Sequence, residues 1–101
     1  MSAPVYLVKG NDPVLQADRA RDLVHELVGD GDRSMIVDEF EGDDYELAAV
    51  VNSAQTPPFL SDRRVVLARH AGRFTTAELV APMVEYLADP LATSSVVLVW
   101  E

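Results

Sequence analysis

VYLVKGNDPVLQADRARDLVHELVGD, residues 5–30, decides the fold class. Its first four residues are apolar and rich in β-formers, and Gly10 closes the run, so they read as a buried strand. A helix follows at once. Asp12 has the side chain of an N-cap, and Pro13 suits the first helical turn, where a missing N–H costs nothing. Ala20, Leu23, Val24 and Leu27 then recur at i, i+3, i+4 and i+7, and Gly29 supplies the stop. A strand, a tight turn and an amphipathic helix in this order open a βα unit.

The remainder of the chain repeats the alternation. MIV (35–37) is a second apolar run, ending in the acidic loop DEFEGDD (38–44). Asp43 followed by Glu46 has the spacing of a capping box, and Leu47, Val51 and Ala54 keep one face apolar until Pro57 and Pro58 end the pattern. VVLA (65–68) is the third strand. Thr75 and Glu78 open a second capping-box pattern, with Leu79, Met83, Tyr86 and Leu87 on one face; Pro82 either kinks this helix or marks the start of its regular part. SVVLVWE (95–101) is a fourth strand, apolar enough to be buried on both faces. The order βαβαβαβ predicts an α/β domain over residues 1–101: a parallel sheet with right-handed crossovers, flanked by helices on both faces. A final strand with no helix after it leads us to expect the front part of a longer chain.

Composition narrows the function. The 101 residues suit one domain. Seventeen acidic side chains against eight basic ones give a net charge of −9, a field that repels a phosphate backbone, so direct nucleic-acid binding is not expected. The absence of cysteine removes disulfides, thiolate catalysis and the usual structural zinc sites, and fits a reducing compartment. The N-terminus MSAPVYLVKG lacks both a basic start and an apolar core long enough for a signal peptide or a membrane span. A cytoplasmic protein is expected.

Nucleotide chemistry is the first test for a strand, glycine turn and helix, because phosphates bind to backbone N–H groups at such a helix start. In KGNDPVLQ only Gly10 of a P-loop is in place. The lysine and hydroxyl that reach phosphate and magnesium are missing, and Asp12 puts a negative charge where phosphate lies. MIVDEF imitates a Walker B strand without its partner motif. Asp38, Glu39, Glu41, Asp43 and Asp44 read as a solvated, helix-capping acidic loop; the competing reading makes them a metal-dependent, phosphate-handling site of a degenerate NTPase. A phosphoacceptor receiver domain would need Asp at the end of strand three, where Arg69 and His70 stand. No nucleophile is patterned beside His25 or His70. No catalytic residue, cofactor or metal site is assigned, and no intrinsic activity is expected.

TPPFLSDRR (56–64) is the unusual segment. Phe59 and Leu60 either turn inward as loop anchors or point outward into a partner. Pro57 and Pro58 restrict the backbone ahead of them, which lowers the entropy lost if the pair is held outward for binding. Asp62, Arg63 and Arg64 give the apolar pair a charged rim.

With VYLVKGND, PPFLSDRRVVLAR, VEYLADP and SSVVLVWE in this order and at these distances, the chain resembles the delta subunit of the bacterial DNA polymerase III clamp loader. The resemblance covers the whole sequence. It implies an AAA+-like N-terminal domain that has lost nucleotide binding. It also implies that Phe59 and Leu60, with Pro58 and Arg63 beside them, enter the hydrophobic pocket of the ring-shaped sliding clamp, the beta subunit, and help open one ring interface. Phe-Leu departs in order from the Leu-Phe or Phe-Phe that the family often carries. The implied partners are the clamp, the clamp-loader ATPase subunits and the delta-prime subunit, with DNA met only through the complex. In the family a later strand covers the sheet edge beside VYLV, so this edge is expected to be open here and to favour self-association. A purely structural α/β module associating through its acidic face is the third reading.

Overall fold

In the computed structural model, residues 5–10, 12–42, 44–57 and 63–100 are described. Strand β1 (Val5–Lys9) leads into helix α1 (Pro13–Val28). A single helical turn, α2 (Arg33–Ile36), precedes β2 (Val37–Phe40). Helix α3 (Leu47–Gln55), β3 (Arg64–Ala68), a 3-10 turn at Ala71–Arg73, α4 (Ala77–Ala88) and β4 (Ser94–Trp100) complete the order. The four strands form one parallel sheet in the order β1-β4-β3-β2.

This order explains why the helices lie on two faces. The chain crosses from one edge, β1, to the other, β2, and then steps back through β3 to β4. Right-handed crossovers taken in opposite directions place their helices on opposite sides of a sheet. Thus α1 buries Ala20, Val24 and Val28 with Val8, Val65, Leu67, Val97 and Val99 on one face. Helices α3 and α4 bury Leu47, Val50, Val51, Ala54, Met83 and Tyr86 with Val66, Ala68, Val96 and Leu98 on the other. Because β3 and β4 contribute to both clusters, they read as continuous apolar runs.

Helix α1 starts and stops where its sequence signals stand. The Asp12 carboxylate accepts from the N–H of Val14 at 3.0 Å and of Leu15 at 3.4 Å, and Gly29 ends the helix at φ 61°, a backbone region that favours glycine.

Three boundaries differ from the sequence reading. The second strand begins at Val37, because Asp32 accepts from the Ser34 N–H and winds Met35 and Ile36 into the helical turn. The strand then takes in Asp38, Glu39 and Phe40, the start of the expected acidic loop; an edge strand tolerates such polar positions. Helix α3 starts after Glu46, whose side chain makes no cap, while Asp43 lies outside the described residues. Tertiary contacts fix this entry instead: the Tyr45 hydroxyl donates to the Arg69 carbonyl, and its ring meets Phe40 and Phe74 at centroid distances of 5.5 and 5.6 Å. Helix α4 is capped by Thr76, one residue later than expected, and runs through Pro82 from Ala77. Its buried face is Met83 and Tyr86 with Val80 beside them, whereas Leu79 and Leu87 are exposed.

β1 has one strand neighbour among the described residues. Leu7 on that edge is half exposed, and with Val5, Val84, Leu87 and Trp100 it lines an apolar groove of about 410 Å³.

Candidate functional site

Open parallel sheets bind ligands outside the carboxyl ends of their strands, where chain direction switches. Here that crevice lies at the ends of β1 and β4, against the start of α1. Two of the described side chains occupy it. Asp12 already accepts from the first helical N–H groups, the donors a phosphate needs. Gln16, only 4% exposed, donates from Nε2 to the Trp100 carbonyl at 2.8 Å and bridges the crevice. Its Cγ lies 3.4 Å from the position a Cβ would take on Gly10, so the glycine here gives room to Gln16. The remaining cavity, about 180 Å³ between Pro13, Gln16, Ala17, Arg69, His70 and Val99, is below the ~300 Å³ at which small-molecule pockets commonly begin.

The sequence carried a signal for Gln16 that the apolar pattern passed over. It stands in the same i+4 row as the buried Ala20, Val24 and Val28, and a polar residue in such a row must find a partner.

The described residues of the acidic loop do not converge on one point. The Asp38 carboxylate accepts from the Ser53 hydroxyl on α3. Glu39 and Glu41 turn to Arg69, at 3.1 and 3.8 Å. Among the described residues, no group of three or more His, Cys, Asp or Glu is placed to hold a metal ion. His25 is exposed in the last turn of α1, and His70 takes a left-handed conformation ahead of the 3-10 turn.

Thr56, at the end of α3, and Arg64, at the start of β3, lie at the opposite, amino end of the sheet's strands. Pro58, Phe59 and Leu60 lie outside the described residues, but both ends of TPPFLSDRR are placed. At the departing end, Thr56 terminates α3, with its N–H on the Ser53 carbonyl at 3.1 Å and its hydroxyl on the Asn52 carbonyl at 2.8 Å. The buried Ser94 hydroxyl donates to the Ala54 carbonyl at 2.6 Å. At the returning end, Arg64 Nε donates to the Thr56 carbonyl and Arg63 Nη1 to the Leu27 carbonyl in the last turn of α1, both at 3.2 Å. Each guanidinium thus lies at a helix C-terminus, where orphan carbonyls and the macrodipole favour a cation.

The family model for "DNA polymerase III, delta subunit" matches residues 6–101. The chain belongs to that family. Among solved structures, the chain is similar to the DNA clamp loader delta protein of Bacillus subtilis (YqeN), with a TM-score of 0.79 and 21% sequence identity. The match covers 97% of this chain and 31% of that one, so this chain spans about a third of that protein's length. At this identity the likeness shows the fold, the flanked parallel sheet expected from the alternation of elements. No curated protein matches. Among the described residues, no helix is long and apolar enough to cross a membrane.

Proposed function

We propose that this domain is the clamp-gripping module of a cytoplasmic clamp loader: it binds the sliding clamp, the beta subunit, and helps open the ring for loading onto DNA. Family membership over residues 6–101 is the observation that carries the reading. Phe59 and Leu60 form the apolar anchor, flanked by Pro58. Burying both side chains contributes about 3–6 kcal/mol before the cost of association. Opening needs no nucleotide in this subunit. A domain that binds an opened ring more tightly than a closed one shifts that equilibrium by the difference in binding free energy. The ATPase subunits supply the switching, delta-prime completes the loader, and DNA is met through the assembled complex. Capture on the immobilised clamp tests the reading, and failure to bind at micromolar concentration refutes it.

The nucleotide-free part of this reading has its own test. With Asp12 on the helix N–H groups and Gln16 across the crevice, titration with magnesium-ATP is expected to give no binding heat. A micromolar affinity that disappears on changing Gly10 or Asp38 would restore the degenerate-NTPase alternative built on residues 38–44.

A further inference from the structure

We propose that the groove between edge strand β2 and helix α3 receives an extended peptide segment of a partner protein, added as a further strand beside β2, with an acidic side chain over Arg64 and a basic one over Asp38. The site uses neither Phe59 nor Leu60 and stands or falls apart from the clamp reading.

Among the described residues β2 has β3 as its one strand neighbour, so its outer side presents backbone N–H and C=O groups that no strand takes up. On the α3 face that edge borders a groove of about 410 Å³. Asp38 and Phe40 form one wall, because alternate residues of a strand share a face, and Asn52, Ser53 and Thr56 form the other. An open edge with a helix alongside suits peptide binding by strand addition. The main chain supplies the hydrogen bonds, and alternate side chains enter the groove.

The register fixes what those side chains meet. Asp38 is level with Val66 and Phe40 with Ala68, so Arg64, two residues before Val66, stands one pleat repeat before Asp38 on the same face. Arg64 lines the groove and donates from Nε to the Thr56 carbonyl, but among the described residues no carboxylate pairs with it. Asp38 accepts from the Ser53 hydroxyl through Oδ2, which leaves Oδ1 to accept from a ligand. Phe40 ends the row with a partly buried ring. Alternate residues of an added strand, about 7 Å apart, therefore meet a cation, an anion and an apolar surface in turn. A second copy of this chain does not fit, because it would set Asp38 and Glu39 of one edge against the same residues of the other in a chain of net charge −9.

Two end-blocked pentapeptides, Asp-Thr-Lys-Thr-Leu and its reverse, are the probes, titrated into the folded chain and followed through its amide resonances. At least one is expected to bind with a Kd below about 1 mM and to shift the amides of β2 and the Asn52 side chain. A strand added at one edge uses the N–H groups of every second residue. N-methylation of alternate peptide nitrogens should therefore weaken binding about tenfold in one phase and much less in the other. Arg64→Gln should weaken the peptide about 2- to 5-fold and leave its Asn-for-Asp analogue unaffected. The N-methyl series uses the parent chain, so it decides the matter even if Arg64→Gln folds poorly. The proposal is overturned by no saturable binding of either peptide up to about 1 mM, by equal losses in the two N-methyl phases, by an Asn-for-Asp analogue that binds the parent equally well, or by shifts confined to the apolar groove beside β1.

Discussion

Replacing Phe59 and Leu60 together by alanine is expected to abolish most clamp binding and to leave the melting temperature almost unchanged. Each truncation removes an apolar group worth about 1–3 kcal/mol in a desolvated pocket, or roughly five- to over a hundred-fold in affinity. The opposite pattern belongs to core residues, where large-to-small changes cost about 2–5 kcal/mol of fold stability. Clamp titration and thermal melting on the same double variant therefore separate an outward anchor from an inward one. A variant that melts far lower, or that melts normally and still binds as the parent does, removes these two residues from the site.

The architecture was legible because it is written in local periods. Four apolar runs of strand length alternate with helical repeats, and the caps at Asp12 and Gly29 stand where the structure uses them. Boundaries failed where long-range contacts decide them. The start of α3 is set by Tyr45, whose partners Arg69, Arg73 and Phe74 lie 24 to 29 positions further along the chain. Nothing in the spacing of Asp43 and Glu46 contains that information. At the candidate site, the missing P-loop lysine was visible, but the bridge from Gln16 to the Trp100 carbonyl spans 84 positions. The same holds for Arg63. Its bond to the Leu27 carbonyl spans 36 positions, a contact that no local pattern contains.

The second large effect is expected at Phe74, on the carboxyl side of β3 and away from the proposed clamp segment. Its side chain is 1% exposed, its ring meets that of Tyr45, and the Arg73 guanidinium lies 4.2 Å from the Phe74 ring centroid and 4.6 Å from that of Tyr45. Arg73 also donates to the Tyr45 carbonyl, so one aromatic and cationic stack joins the 3-10 turn to the entry of α3. Removing Phe74 opens a cavity at the centre of that stack and leaves a partly buried guanidinium without its apolar support. Phe74→Ala should cost about 3–5 kcal/mol, a large share of the ~5–15 kcal/mol that holds a domain together. For a chain of this size each kcal/mol lowers Tm by about 4–8 °C, so melting should fall by roughly 12 °C or more. Clamp affinity measured well below that transition should stay near the parent's, because the stack follows the carboxyl end of β3, whereas Arg63 and Arg64 stand at its start. A Phe74→Ala protein that melts within a few degrees of the parent shows that the stack does not secure α3. One that stays folded but loses the clamp places the binding surface at the carboxyl edge of the sheet, not at TPPFLSDRR.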